Sequence, residues 1–149
     1  MPVRVQTEDF DLSTELKKLR TGDSRVGAVA AFVGTVRDCN EGSKISSMTL
    51  EHYSGMTEKS LEDIIAKAKA RWDIYDVLII HRVGYLEVED QIVLTAVTSA
   101  HRGEAFAACE FVMDYLKTLA PFWKKEETDT GSRWVDARLS DDEALKKWL

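Results

Sequence analysis

Two long segments of the chain repeat their apolar residues at the spacing of an amphipathic helix. From about Met56 to Trp72 the apolar positions recur every three or four residues, which places them on one side of a helix. A second helix is predicted from near Arg102 to Leu119, and its wide apolar stripe indicates that it is covered on much of its circumference. Pro121 ends this helix, because proline lacks the amide hydrogen and crowds the preceding turn.

Short β-branched or alternating runs predict strands around these helices. The predicted strands cover residues 3–5, 26–36, 45–53, 75–83, 91–98, 122–127 and 133–138. The run 26–36 is apolar on both faces, which predicts a central strand, and the polar stretch 37–44 after it is predicted to be a loop. Residues 87–90 are predicted to form a turn between two strands.

Two shorter helices are predicted from their capping residues. Asp11 or Ser13 is expected to cap a brief helix, which a glycine–aspartate pair then ends. Ser140 begins a Ser-x-x-Glu capping box, which predicts a C-terminal helix ending at Trp148.

The order of these elements predicts the fold class. Sequential hairpins interspersed with two long helices favour an α+β fold with a mixed, mostly antiparallel sheet over a doubly wound parallel sheet. No internal repeat, linker or low-complexity tract divides the chain, so residues 1–149 are predicted to form a single domain.

Composition narrows the functional classes. The chain is 44% hydrophobic and 31% charged, as globular proteins are, and its net charge of −6 disfavours nonspecific binding to nucleic acid. The N-terminus has no apolar leader, and the longest apolar run, 28–33, is too short to cross a membrane. Two cysteines without a CxxC pair fit a reducing cytoplasm, and the scattered histidines predict no metal site.

Candidate anion-binding residues lie at the predicted ends of strands and helices. His101 and Arg102 follow a strand and start a helix, where unpaired amide groups and partial positive charge favour an anion. The alternative is an ordinary solvated helix start. Arg37 ends an apolar strand, so its side chain is expected to project from the sheet rim into a cleft or into solvent.

Lys117 and Lys124 are candidate proton-transfer groups. Lysine that is partly desolvated and close to other cations can have a lowered pKa. The alternative is a favourable cation at a helix C-terminus together with a surface lysine, and Pro121 prevents one helix from placing both on a common face. Cys109 fits a small core residue, and nothing in the sequence pairs Cys39 with a base that would make it a nucleophile.

Several long segments, in order and in register, resemble the large-subunit family of molybdopterin synthase. They are GAVAAFVGTVRD (27–38), LEHYSGMTEKSL (50–61), HRVGYL (81–86), TSAHRGEAF (98–106), MDYLKTLAPFWKKE (113–126) and RWVDAR (133–138). Ser54 is a mild departure, since this family often has proline there.

The resemblance implies an α/β-hammerhead type of fold and a sulfurtransferase active in molybdenum cofactor biosynthesis. Such an enzyme converts cyclic pyranopterin monophosphate into molybdopterin by installing two sulfurs as a dithiolene. Each sulfur comes from the C-terminal Gly-Gly thiocarboxylate of a small ubiquitin-like subunit. The resemblance further implies a homodimer of large subunits within a heterotetramer, without nucleic acid or membrane partners. No cofactor is expected, and no thiolate or histidine cluster is present to hold molybdenum.

The resemblance also implies which residues form the site. Lys117 and Lys124 are the expected catalytic pair, and Arg138 is expected to complete a neighbouring subunit's pocket. The expected substrate contacts are Thr35, Val36, Arg37, His101, Arg102, Lys117, Lys124, Lys125, Glu126 and Arg138.

Without the resemblance, two other functions fit the same residues. A noncatalytic interaction module would use a cationic cleft to dock an acidic or C-terminal peptide tail. A phosphate-binding regulator would bind a pterin or nucleotide without a sulfur-loaded partner.

Overall fold

Two β-sheets and four helices make up the part of the chain that this computed structural model describes, residues 2–40, 42–135 and 139–149. Side chains are described over the same ranges except for 139–142. The strands are β1 (Val3–Gln6), β2 (Ala28–Thr35), β3 (Cys39–Asn40), β4 (Ser43–His52), β5 (Val77–Arg82), β6 (Gly84–Glu87), β7 (Gln91–Ser99), β8 (Phe122–Thr128) and β9 (Gly131–Val135). The helices are α1 (Leu12–Arg20), α2 (Met56–Arg71), α3 (Arg102–Leu119) and α4 (Leu139–Lys146).

The first sheet has the order β1-β5-β7-β2 and is buried on both faces around β7. Only the β1–β5 pair is parallel, while β5–β7 and β7–β2 are antiparallel. Because side chains alternate along a strand, Ile80 and Leu94 lie in the core cluster under α1, whereas Ile79 and Val93 lie in the larger cluster with α2 and α3.

The second sheet has the order β3-β4-β8-β9, with β6 pairing on the other side of β4. The register places Lys124 opposite Leu50 and Glu126 opposite Met48. Both partners on β4 are buried apolar residues. Alternate residues of β8 therefore carry charged groups on the buried face of this sheet.

Helix α3 lies across β7 and β2 of the first sheet. It starts directly after β7 and has 18 residues, a length of about 27 Å at 1.5 Å per residue. Its buried face includes Ala105, Phe111, Val112 and Leu116. The two ends of α3 therefore lie near opposite ends of the β2–β7 pair.

The main sequence predictions are confirmed. The fold is α+β with mostly antiparallel pairing, although the strands are divided between two sheets. Helices α2 and α3 occur where their periodicity predicted them. Asp11 caps α1, since its side chain accepts a hydrogen bond of 2.9 Å from the backbone N–H of Thr14. None of the helices in the described residues is long and apolar enough to span a bilayer.

Three strand predictions are wrong in detail. Strand β2 lies at the edge of its sheet, and the apolar side chain of Phe32 is 43% exposed there. The predicted loop 37–44 contains β3 and the start of β4, because the Asn40 side chain and backbone bond to Glu126 and Arg133 across the sheet. The sequence did not predict strand β6, because a segment of four residues that begins with Gly84 carries little periodicity.

The C-terminal predictions are met in part. Helix α4 starts at Leu139, one residue before Ser140, so Ser140 lies within the described helix. The predicted strand 133–138 is confirmed as far as Val135, and its last three residues lie outside the described ranges.

Leu61 provides a test of the core. This side chain on α2 is fully buried in the larger apolar cluster. We expect Leu61→Ala to lower the free energy of unfolding by about 2–5 kcal/mol, because it leaves a cavity. Urea unfolding measures the change, with Leu149→Ala as the control, since Leu149 is 86% exposed. A loss for Leu61→Ala as small as that for the control would contradict the described packing.

Candidate functional site

A cavity of about 520 Å³ lies where the end of β2, the hairpin β3–β4, strand β8 and the C-terminal turn of α3 meet. Its lining combines apolar side chains such as Met48 and Ile92 with charged ones. Of the sequence-predicted site residues, those that line this cavity are Thr35, Arg37, Lys117, Lys124 and Glu126. Such a mixture is typical of a small-molecule site, in which a few polar groups orient the ligand.

The break at Pro121 is what brings the two lysines to one cavity. Lys117 lies in the last turn of α3, directly after the buried Leu116. The helix ends at Leu119, and β8 starts only three residues later. Lys124 is the third residue of β8, so it reaches the same cavity from a strand. A single continuous helix would not have produced this arrangement.

The Glu126 carboxylate is the most buried charge in the cavity, with 1% exposure. The side-chain amide of Asn40 donates to both carboxylate oxygens at 3.1 Å. Nε and Nη2 of Arg133 donate to Oε1, each at 3.3 Å. The ammonium of Lys124 lies 3.7 Å from Oε2. Glu126 thus has two cationic partners and one neutral donor.

His81 is a buried histidine in the cavity wall, with 4% exposure. Its ring stacks on Phe122, with centroids 3.8 Å apart and planes 18° from parallel. Nδ1 lies 2.8 Å from the carbonyl oxygen of Arg82 and donates to it, which leaves Nε2 as the acceptor. Burial, together with the positive charge of Lys117, lowers the pKa of His81 from 6.5 to about 3. His81 is therefore a neutral imidazole.

His101 and Arg102 lie at the other end of the first sheet. In the β2–β7 register Ala28 pairs with Ser99, just before His101, whereas Thr35 pairs with Gln91. The seven steps from Ala28 to Thr35 span roughly 23 Å at about 3.3 Å per residue. Within one chain, these two residues do not reach the cavity that Arg37 and the lysines line.

The remaining predicted contacts have different surroundings. Val36 is buried, and its backbone bonds to the turn after β6 through Glu89 and Asp90. Lys125 alternates with the cavity-lining residues of β8 and pairs with Trp134 on the opposite face. Arg138 lies outside the described residues.

The sequence prediction missed three polar residues of the site. His81 ends the apolar run VLIIH of β5, and an ionisable residue in such a run was the one available signal. Asn40 was assigned to a loop, and Arg133 was read only as part of a strand. Their roles depend on contacts with Glu126, which lies 86 residues from Asn40 in the sequence, so local pattern carries no information about them.

The two cysteines differ in exposure. Cys109 is buried on α3, where burial raises the pKa of its thiol to about 11. Cys39 is exposed at the cavity. Among the described residues no group of three or more histidine, cysteine, aspartate or glutamate side chains is placed to hold a metal ion.

The fold and the cavity define a class: an α+β protein with a cavity lined by three cationic side chains, Arg37, Lys117 and Lys124. Comparison with known proteins agrees with this class and narrows it. A family model described as MoaE protein matches residues 5–119. The chain belongs to the MoaE family.

Individual relatives support the assignment. The chain is 64% identical over 146 residues to a molybdopterin synthase catalytic subunit from Ralstonia nicotianae, covering 98% of this chain and 83% of that protein. A molybdopterin biosynthesis MoaE protein from Burkholderia ambifaria superimposes with a TM-score of 0.85 at 59% identity, covering 98% of this chain and 96% of that one. A Helicobacter pylori protein–protein complex of subunit 1 and 2 of molybdopterin-converting factor contains a chain with the same fold, with a TM-score of 0.75 at 21% identity and coverage of 93% and 92%.

The neutral state of His81 predicts a pH-dependent stability. Below pH 6.5 the unfolded chain binds a proton at this residue, whereas the folded chain does not until about pH 3. The contribution of His81 to stability is thus present above pH 6.5 and is lost as the pH falls. Relative to His81→Gln, the wild type should lose roughly 1.4 kcal/mol of unfolding free energy per pH unit between about pH 6 and pH 4.

Urea unfolding at a series of pH values measures this difference. His101→Gln is the matched control, because it removes an exposed imidazole instead. Parallel stability curves for the wild type and His81→Gln would show that His81 is protonated in the folded state.

Proposed function

We propose that the cavity is the place where this chain, as the catalytic subunit of a molybdopterin synthase, converts cyclic pyranopterin monophosphate into molybdopterin. One observation carries the proposal: three cationic residues from separate stretches of the sequence, Arg37, Lys117 and Lys124, line one cavity in a member of the MoaE family. A cyclic phosphate is an anion, and such cations bind it by charge-assisted hydrogen bonds.

The sulfur need not come from this chain. In the proposed reaction the thiocarboxylate sulfur of the small subunit forms a carbon–sulfur bond to a side-chain carbon of the precursor. A carbon–oxygen bond at that carbon breaks, and its oxygen leaves as water or with the phosphate. The product of this step is a thioester between the partner's C-terminus and the pterin. Water then cleaves the acyl–sulfur bond, which releases the partner's carboxylate and leaves sulfur on the product. Repetition with a second loaded partner completes the dithiolene.

Lys117 and Lys124 suit the electrostatic requirements of these steps. An anionic sulfur has to approach an anionic substrate, and two ammonium groups in a partly desolvated cavity offset the repulsion. Each lysine also carries protons that it can donate to a leaving or forming group. Preorganised charges of this kind act without reorganising during the reaction.

The partner in this proposal is a small ubiquitin-like subunit with a Gly-Gly tail. A flexible tail of glycines fits into a narrow cavity because it has no side chains to accommodate. The Helicobacter pylori complex of two subunits of molybdopterin-converting factor supports a two-protein arrangement.

A second copy of the chain is also part of the proposal. His101 and Arg102 lie too far from the cavity of their own chain, and we propose that they and Arg138 serve the cavity of a second copy. Edge strand β2 supports this arrangement, because Phe32 is exposed there and also lines the cavity. An exposed apolar edge beside a site is a surface that another copy can cover.

The proposal also includes a single-domain organisation and a cytoplasmic location. We propose that residues 1–149 act as one domain, since helices α2 and α3 and strands of both sheets contribute to one apolar cluster. A cytoplasmic location fits the two free cysteines, which persist in a reducing compartment.

Lys117→Ala tests the catalytic assignment. We expect dithiolene formation to fall at least about a hundredfold, because a preorganised charge is lost at the reacting centre. Binding of the small subunit should persist. The assay mixes the purified chain with thiocarboxylated partner and precursor and follows product.

Lys147→Ala is the matched control, because Lys147 is exposed and pairs with Glu110 and Asp114 on the surface. A wild-type rate for Lys117→Ala would contradict its role. If the wild-type chain bound the partner but made no product, the interaction module would be the better function.

Complementation between copies tests the shared cavity. Lys117→Ala and Arg102→Ala should each be nearly inactive alone. In a mixed dimer of the two variants, one cavity has both wild-type residues and the other has neither. Activity should therefore return to about half of the wild-type value per mixed dimer when chains are exchanged. No recovery in dimers shown by mass spectrometry to be mixed would place Arg102 outside a shared site.

A further inference from the structure

The Glu126 carboxylate is fully engaged by protein groups. Oε1 accepts from Asn40 and from two nitrogens of Arg133, while Oε2 accepts from Asn40 and faces Lys124. A carboxylate has about four lone-pair positions, and these contacts occupy them. With 1% exposure, Glu126 has little surface left for a ligand.

A carboxylate in this cavity would also repel an anionic substrate. The resemblance assigned Glu126 to substrate binding, yet its negative charge opposes the binding of a phosphate or a thiocarboxylate. Burying a charge costs free energy unless it is paired and hydrogen-bonded. The surroundings of Glu126 meet that requirement, which indicates a role in holding its partners.

Arg133, on β9, contacts residues of three other strands, β3, β4 and β8. It lies directly opposite Glu126 in the β8–β9 register. Its Nη2 also donates to the carbonyl oxygen of Asn40 on β3 at 2.9 Å, and its Nη1 lies 3.4 Å from Oγ of Ser43 on β4. The guanidinium thus attaches the β3–β4 hairpin, which forms one wall of the cavity, to the strand that carries Lys124.

We propose that Arg133 is a positioning residue for Lys124, acting through the shared Glu126 carboxylate with the help of Asn40. The inference rests on the function proposed for the cavity. Arg133 and Asn40 fix the carboxylate from one side, and the carboxylate then fixes the Lys124 ammonium from the other. Lys124 is held at the cavity wall while part of its charge remains available to an anionic ligand.

Two cations, Arg133 and Lys124, share the negative charge of the Glu126 carboxylate, and this sharing keeps Lys124 available to a ligand. If Arg133 were absent, Lys124 would be the one cation left within 4 Å of Glu126 among the residues that the structure describes. The pair would then neutralise itself, and the ammonium would turn toward the carboxylate and away from the substrate. The positive charge of Arg133 therefore keeps Lys124 in its working position.

A double-mutant cycle tests the proposal. The variants are Arg133→Gln, Glu126→Gln and the double variant, each assayed for dithiolene formation with the thiocarboxylated partner and precursor. We expect Arg133→Gln to lower kcat by about tenfold or more, with KM for the precursor within about twofold of wild type. If Arg133 acts through Glu126, the double variant should have a kcat within about twofold of that of Glu126→Gln alone.

Rescue and control variants separate positioning from a structural role. Arg133→Lys keeps the charge and should recover part of the kcat that Arg133→Gln loses. Arg25→Gln removes an arginine whose pair with Asp23 is on the surface, and it should keep wild-type kinetics. Ser132 precedes Arg133 on β9 and donates a hydrogen bond to Glu127 on β8, so Ser132→Ala controls for local disturbance of β9.

The outcomes distinguish a failure of the proposed function from a failure of the positioning role of Arg133. If the wild type makes no product, the proposed function fails. If the wild type is active but the kcat effects of Arg133→Gln and Glu126→Gln multiply, or Arg133→Gln keeps its kcat, the positioning role fails alone. Should Arg133→Gln not fold, the comparison of Arg133→Lys with Asn40→Ala replaces it. Unchanged kcat in both of these variants would then overturn the proposal.

Discussion

The packing of α3 across β7 and β2 is the constraint on which the site depends. The helix starts where β7 ends and runs back over the sheet, so its last turn reaches the end of β2 that leads into Arg37. This one packing arrangement brings Lys117 to the cavity. It also carries His101 and Arg102, at the start of the same helix, to the far end of the sheet. A rigid helix of fixed length cannot place both of its ends at one site, and this is the physical reason why the function proposed above includes a second copy.

The second sheet adds what α3 cannot supply. Its strand β8 presents Lys124 and Glu126 on the face that is closed by apolar residues of β4. Charges buried on this face are stable only when they are paired and hydrogen-bonded. Asn40 on β3 and Arg133 on β9 supply these partners to Glu126. The cavity therefore has a rigid polar wall on one side and the end of a helix on the other. Rigid walls hold a ligand in a defined orientation, which the proposed transfer of sulfur from a partner protein to a small molecule requires.

Sequence pattern was sufficient for elements whose residues are set by local periodicity. The apolar stripe of α3 and the break at Pro121 gave the helix its observed ends, and Asp11 capped α1 as its position indicated. The pattern failed where distant contacts decide. Strand β3 exists because its backbone and the Asn40 side chain bond to residues far along the chain. The apolar character of β2 predicted burial, but no local signal could say whether the same chain or another copy provides the cover.

The site residues also divide into those that the sequence could predict and those that depend on distant contacts. The motif residues of the family included Arg37 and both lysines, which the structure brings to one cavity. His81 and Arg133 lay within the matching segments, but their chemistry appears only when stacking, burial and ion pairing are known. The sequence alone could not show that the start of α3, with His101 and Arg102, and the end of β2, before Arg37, lie at opposite ends of the first sheet.

The neutral imidazole of His81 affects how the cavity responds to acidity. A histidine with an ordinary pKa gains a charge over the mildly acid range and would make the attraction for anions vary with the acidity of the cell. Burial in the cavity wall, where the ring stacks on Phe122, lowers the pKa of His81 and keeps it uncharged over this range. The neutral ring keeps Nε2 as a hydrogen-bond acceptor over this pH range. His81 therefore does not make the electrostatic attraction between the cavity and a phosphate depend on pH. If the cavity binds an anion as proposed, its attraction for that anion therefore gains no added charge from His81 as the pH falls below neutral.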